Sequence, residues 1–448
     1  MNYKNCFSLL LPLILPLYAT QAQSVWNDST GNHLWNDAAN WSPGIPNNST
    51  VASFSGVGGS VILDSNLSSA FSALEVVGSN GAHTLTSDNS TVRTLSGGAL
   101  RVGYGTDSVA SFGNSLTIDK VQLSTVAGSS LGYRGYNNEL IVTGGGKFVG
   151  AYTAGFSIGA GTGTAANNSN NSILVKNGGE FSIGFVTVGG TGAGNSITVT
   201  GAGSSLKLTG LTGQTNFNLN IGNINAAATN SVSILDGATA TISAWNTRIV
   251  GGSLTIGRGS SLTHNHPTAT QSVLIGSRGA LYGAGTLVAD EIRYNDFGGI
   301  VGTGAQVYVG ESASDFATFN VTGNWLNKDM KLNLEIGDLT GLPIAGTNYD
   351  LLSLSGQFTF GGELIIDLSQ AVLPDDFNIK LIGWTSTQGL STDMVVNFIN
   401  GSALNYSIAG DGLYISAIPE PGSMALLLAG IGGVLVVRWK RKMQGSKP

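Results

Sequence analysis

Only one cysteine occurs in the chain, Cys6, and it stands before the first apolar run. Disulfides therefore cannot staple a domain, and a lone thiol near the start makes no zinc site. Nor does it suit a lipid-modified cysteine, which would follow the apolar run. Charge is scarce too: Asp, Glu, Lys and Arg make up 10 % of the residues, against about 25 % in an average globular chain. What charge there is divides unevenly. Lys4 stands at one end, and Arg438, Lys440, Arg441, Lys442 and Lys447 at the other. Setting these aside leaves 14 bases against 26 acids, a net of about −12 between the ends. An acidic middle argues against nucleic acid or anionic lipid as the main partner. A phosphate loop ending in GK[ST] and the calcium nonapeptide GGxGxDxUx are both missing, so no cofactor is expected.

Glycine is abundant instead, 66 of 448 residues, roughly twice the usual share. The hydrophobic share of 42 % is ordinary, so the chain can bury a core. With charge low, Ser, Thr and Asn must supply solubility, and with Gly they favour strands and turns over long helices.

A repeat runs through the middle. Its unit is Asn, a polar or small residue, an apolar-x-apolar strand, then a Gly turn. Copies begin at Asn138, Asn171, Asn195 and Asn230, with a weaker one at Gln271, spaced 33, 24, 35 and 41 residues apart. A second strand ending in Gly precedes most copies: Phe156–Gly159, Val186–Gly189, Leu219–Gly222 and Leu254–Gly257. Strands that keep their form while loops vary suit a parallel β-helix, in which no coil can bury its apolar face alone and coils must stack. An antiparallel sandwich also has short strands and Gly turns, but it does not explain the recurrence of one unit. Val142, Val175, Val199 and Ile234 are then expected in one inward ladder.

The two ends read as addresses. Met1–Asn5 carries one Lys, Phe7–Tyr18 is apolar, and Thr20 and Ala22 are small residues at a cleavage spacing. That is the layout of a secretory signal peptide, and Pro12 and Pro16 argue against a buried core helix. At the other end, Pro419-Glu420-Pro421 precedes an apolar stretch, Gly422–Val437. As a helix the stretch would be about 24 Å long, short of a hydrocarbon core of about 30 Å. Arg438, Lys440, Arg441 and Lys442 form a basic tail that the positive-inside rule keeps in the cytoplasm.

Little in the sequence points to chemistry. Between Leu140 and Ala289 the only acids are Glu180 and Asp236, which do not fall at matching repeat positions and read as solvated turn residues. Polysaccharide lyases and glycosidases on β-helices need clustered carboxylates. His264-Asn265-His266-Pro267 sets two imidazoles on one strand face, but no third ligand is evident and the segment reads as a surface loop. Gly159–Gly163 (GAGTG) lacks the helix of a nucleotide loop and reads as a coil turn. No catalytic, cofactor-binding or metal residue is assigned.

The last thirty or so residues resemble the PEP-CTERM sorting tail in the order and spacing of tripeptide, apolar helix and basic end. The repeats from about residue 100 to 290 resemble those of PEP-CTERM and autotransporter-type secreted proteins. Trp26, Trp35 and Trp41 lie in a Trp-rich start like those that precede such solenoids. The resemblance implies an exosortase-type processing protease as partner, in a Gram-negative bacterium. A bare anchor without processing is the alternative for the tail, and an autotransporter passenger is disfavoured because the apolar stretch cannot form a membrane barrel.

The expected fold is all-β, a parallel β-helix (β-solenoid) with an N-terminal signal helix and a single C-terminal transmembrane helix. The expected order is signal peptide (1–22), Trp-rich cap (23–60), solenoid repeats (61–285), closing β coils and cap (286–417) and sorting tail (418–448). The expected function is that of an exported structural protein of the surface or extracellular matrix, with an adhesive or glycan-binding role as a subclass the sequence does not separate. It is not an enzyme, and it starts as an inner-membrane-anchored precursor. Extracellular polysaccharide is the candidate external partner. The alternative is a carbohydrate-active enzyme on the same scaffold, which an acid-lined groove would favour.

Overall fold

Alternation of apolar and polar residues over four to six positions places every second side chain on one face of a strand, and the chain follows that rule along most of its length. In a computed structural model of the protein, residues 22–417 are described, apart from residues 57, 90, 106–110, 162–167, 211–216, 223–228, 244–245, 266–269, 298–303, 390 and 403. The expected signal helix, the transmembrane helix at 422–437 and the tail residues 418–448 lie outside the described residues. Among the described residues, no helix is long and apolar enough to cross a membrane.

The described strands are joined into one 37-stranded, mostly parallel sheet, with one separate strand pair. The pairing resolves into three ladders, here called faces A, B and C, visited in that order by each coil. Face A stacks Ser115–Asp119, Glu139–Thr143, Ser172–Val175, Ser196–Thr200 and Asn230–Leu235. Face B stacks Val121–Thr125, Lys147–Gly150, Glu180–Ile183, Ser205–Leu208 and Thr239–Ile242. Face C stacks Ser129–Leu131, Gly155–Ile158, Phe185–Val188, Phe217–Ile221 and the start of Asn246–Ile256. This is β-solenoid geometry. About twelve steps of ~4.8 Å give a column roughly 58 Å long.

Val142, Val175, Val199 and Ile234 are consecutive register partners on face A, and all are fully buried. Face B contributes Phe148 stacked on Phe181, ring centroids 4.9 Å apart, with Phe156 of face C edge-on to both. Each such side chain contributes about 1.5–3 kcal/mol on burial, but only once a neighbouring coil covers it.

The repeating Asn has a specific role. Asn114, Asn138, Asn171, Asn195 and Asn230 are all buried at the corner that leads into face A. The first four donate Nδ2 to the Oδ1 of the next Asn at 3.0–3.2 Å, and the same Oδ1 accepts the preceding Asn's backbone N–H at 3.0–3.1 Å, while Asn230 ends the ladder on the Gly192 carbonyl. The glycines closing face C make room for this ladder. A Cβ on Gly132 or Gly189 would stand 2.2 Å from the side chain of Asn171 or Asn230, and both residues have positive φ, +68° and +77°. Loops elsewhere can change length because this corner holds the register.

Two assignments need correction. Leu254–Ile256 does not continue the second-strand series: it pairs with Val232–Ile234 and belongs to face A. The weak copy at Gln271 is not an Asn-type start. Ser272–Ile275 stacks on face C, beside Thr247–Ile249. The physical reason is that Asn246–Ile256 and Ser272–Gly283 run through the C-to-A corner as single long strands. With no Asn there to mark the corner, one strand serves two faces.

At the N-terminal end, Trp35 packs against Trp41 at 4.8 Å, and Phe54 packs against Trp26, Trp35 and Trp41. From Thr286 on, the three ladders continue. YDLLSLSGQFTFGGELIIDL yields Leu351–Leu354, Gln357–Thr359 and Glu363–Asp367, one strand for each of faces B, C and A. The column closes with Asn405–Ala409 and Gly412–Ser416 pairing antiparallel over Asn378–Gly383.

Candidate functional site

The outward positions of face A hold the one concentration of chemistry that stands out among the described residues. Along the closing coils these positions run Tyr282, Tyr308, Asn333, Ile365 and Asn397 in register. Beside them, Glu335 at the end of Met330–Glu335 is the register partner of Asp367 at the end of Glu363–Asp367. A pocket of about 220 Å³ opens here, lined by Tyr308, Asn333, Glu335, Asp350, Asp367 and Ile399, with Ser312 and Ala313 at its rim.

Each wall is held by named contacts. Asp350 is fully buried and accepts the backbone N–H of Ala317 at 2.9 Å and of Glu335 at 2.7 Å. The rim loop is fixed by Arg258, whose guanidinium grips Asp315 at 2.8 and 2.9 Å and donates to the Phe316 carbonyl. The Arg258 backbone N–H also donates to Glu311 at 2.7 Å. Asn333 donates its amide to Gln306 at 3.2 Å and to the Val307 carbonyl at 2.9 Å.

The acids are driven apart in charge. Burial, then the charges of Asp367 and Asp315, push Glu335 up to about 7. Burial also pushes Asp350 up to about 8, against the pull of its two backbone N–H bonds, with Glu335 and Asp315 adding to the rise. Burial works against ionisation of Asp367 as well. Hydrogen bonds from Asn400 at 2.9 Å and the Ser369 backbone at 2.8 Å outweigh it and hold Asp367 below its usual range. Glu335 is only 9 % exposed and its Oε2 has no hydrogen-bond partner.

The acids of this site lie beyond the repeats between Leu140 and Ala289, the stretch whose two acids argue against chemistry in the sequence. A signal was present: Lys331–Glu335 (KLNLE) and Glu363–Asp367 (ELIID) both end in an acid, and stacking them in register brings the two together.

Residues weighed from sequence fall elsewhere. Glu180 is not a turn residue: it opens a face-B strand and pairs with Lys207 at 2.7 Å and Lys147 at 3.8 Å. Asp236 does sit in a turn, at positive φ, accepting the Thr200 hydroxyl at 2.6 Å. His264 is not on a surface loop: it ends the strand Ser261–His264, is buried, and meets the Thr247 hydroxyl at 3.2 Å. Alternation from buried Leu262 turns its ring inward, while His266 lies outside the described residues. Gly159 has positive φ and backs onto Asn195, as a coil turn. Among the described residues, no group of three or more His, Cys, Asp or Glu is placed to hold a metal ion. Pro419, Glu420, Pro421, Arg438, Lys440, Arg441 and Lys442 lie outside the described residues.

Fold and site together define a stacked all-β column with a small acid-lined pocket on its outer surface. The segment after the column supplies the address: residues 417–442 match the PEP-CTERM protein-sorting motif. The chain is thus marked as an exported protein sorted through its C-terminus, with a membrane-anchored precursor and processing by exosortase, a membrane protease. No curated protein and no solved structure matches the chain.

Proposed function

We propose that this protein is a structural component of the cell envelope or extracellular matrix of a Gram-negative bacterium, freed from its membrane anchor near Pro419-Glu420-Pro421 and without catalytic activity of its own. The observation that carries the reading is the sorting motif at 417–442, which begins directly after the column's last strand, Gly412–Ser416. A rigid, disulfide-free column with Ser, Thr and Asn facing outward suits a passive extracellular role. Replacing Arg438, Lys440, Arg441 and Lys442 by Gln tests it in the native host. Membrane retention and C-terminal trimming should weaken together. A variant retained and trimmed like the wild type would contradict the proposal.

One observation favours a second reading, a carbohydrate-active enzyme: a raised Glu335 beside an ionised Asp367 is the pattern of an acid and its charged partner. Geometry argues against it. The two acids stand side by side on neighbouring strands of one wall, whereas glycosidases place their carboxyl groups on either side of the scissile bond. Incubation with a panel of neutral and acidic polysaccharides decides. Turnover that disappears in Glu335→Gln would establish the enzyme.

A further inference from the structure

We propose that the outward surface of face A from Tyr282 to Asp367 binds a neutral polysaccharide strand and seats one sugar unit in the pocket at Glu335. This rests on the reading of the chain as an exported protein that meets polysaccharide outside the cell. Tyr282 and Tyr308 stack in register, centroids 4.9 Å apart and planes within 9°, and both are half-buried. Their open edges and phenol groups form a strip on the column. Tyr308 also lines the pocket, so the strip leads into it. Sugars fit such a surface because their hydroxyls exchange hydrogen bonds with the phenol groups while the ring edges give them a flat surface to lie along.

The pocket offers further hydrogen-bond partners. Glu335 is nine-tenths buried with Oε2 unpartnered, and a buried polar group left unmatched gains from any partner that supplies the missing bond. A sugar hydroxyl, both donor and acceptor, satisfies it in either protonation state. The carboxylate of Asp367 has acceptor capacity beyond its bonds to Asn400 and Ser369. The volume of about 220 Å³ is below the roughly 300–1,000 Å³ of sites that engulf a drug-sized ligand, so one ring enters and the rest of the strand lies outside. Charge selects the class. Glu335, Asp350 and Asp367 line the pocket with no Lys or Arg among its described lining residues, and Arg258 and Lys331 are paired, with Asp315 at 2.8 Å and Glu363 at 3.1 Å. Asp367 keeps its charge while Glu335 and Asp350 are pushed toward protonation. A lining that offers a uronate no cation among its described residues, and one carboxylate to repel it, favours neutral sugars. The loop carrying Ser312 and Ala313 is pinned by Arg258, so the rim is formed before a ligand arrives.

Calorimetry on the full chain in detergent tests this, with cellohexaose, maltohexaose, chitohexaose and hexagalacturonate as probes. At least one neutral hexasaccharide should bind and hexagalacturonate should not. Tyr308→Ala, Tyr282→Ala and Glu335→Ala should each weaken binding tenfold or more, while Glu335→Gln, which still donates and accepts, stays within about threefold. Melting curves identify any variant that fails to fold, and the three truncations report independently. Absence of binding to every neutral probe, tighter binding of hexagalacturonate, or affinity indifferent to the folded truncations would each overturn the proposal. Export and trimming are followed on the same chains. A protein exported and trimmed that binds no sugar refutes the pocket alone, whereas one neither exported nor trimmed refutes the reading beneath it.

Discussion

Replacing Asn171 by Ala should damage the column far more than one polar surface residue ordinarily does. The Asn171 side chain takes part in four hydrogen bonds, all within the buried corner. Its Oδ1 accepts from the Asn138 N–H at 3.1 Å and the Asn138 Nδ2 at 3.0 Å, and its Nδ2 donates to the Gly135 carbonyl and the Asn195 Oδ1, both at 3.0 Å. The Asn195 Oδ1 keeps the Asn171 backbone N–H, and the Asn138 Nδ2 keeps two carbonyls. The Asn138 N–H and Gly135 carbonyl lose their Asn171 partner outright. At about 1–3 kcal/mol for each buried group deprived of its bond, the loss is about 2–6 kcal/mol, and water entering the vacated space moves it toward the lower half. Asn171→Asp should be no better at pH 7, because its second oxygen would face the Gly135 carbonyl and Asn195 Oδ1, acceptors both. Thr198→Ala, an outward change on the same face, should fall within about 0.5 kcal/mol of wild type. Urea denaturation followed by far-UV circular dichroism measures all three, and hydrogen exchange at the Asn138 amide reports the local opening. If Asn171→Ala and Thr198→Ala proved equally stable, the Asn corner would not be what holds the coils in register.

Gly189→Ala should destabilise by at least about 1–2 kcal/mol from its left-handed backbone alone, and by more because the new Cβ meets Asn230 at 2.2 Å; thermal melting checks it. Trp35→Ala should cost about 3–5 kcal/mol, since Trp35 is 1 % exposed amid Trp41, Phe54 and Phe71, and limited proteolysis should then open the chain from its N-terminal coils first. His83 is 2 % exposed, stacked 5.0 Å from Phe54, with neither ring nitrogen hydrogen-bonded, and burial holds its pKa below the ordinary 6.5. Below that value the unfolded chain takes up a proton that the folded chain refuses, so stability is full above pH 6.5 and falls as pH drops, by up to about 1.4 kcal/mol per pH unit. Chemical denaturation at pH 5 and 7.5 should show a smaller gap in His83→Leu than in wild type, and an unchanged gap would refute the assignment.

Much of the fold was legible because one corner is chemically marked. Asn138, Asn171, Asn195 and Asn230 recur in the sequence for the reason the structure gives, a side-chain ladder that an amide on a short stem, donor and acceptor together, extends in both directions. The inward valines and isoleucines followed from period-2 alternation. Where the ladder stops, legibility stopped with it. The register partner of Asn230 is Gly252, and from there an apolar-x-apolar run such as Leu254–Ile256 looks the same on any face. His264 was misread because a His-Asn-His-Pro string suggests a loop, whereas its inward phase was set by Leu262 two residues earlier. The acid pocket was hidden for a different reason. Glu335 and Asp367 are far apart in sequence and meet only through the register of neighbouring coils, and Asp350 reaches them from face B through the backbone N–H of Glu335.

The central claim is that the column is delivered outside the cell by a tail that is then removed. Mass spectrometry of the C-terminal peptide of the extracellular or outer-envelope form tests it most directly. The expected terminus lies near Pro419-Glu420-Pro421, with Gly422–Val437 and the basic cluster from Arg438 to Lys442 absent. Recovering that form with Lys447-Pro448 still attached would contradict the claim and make the tail a permanent anchor.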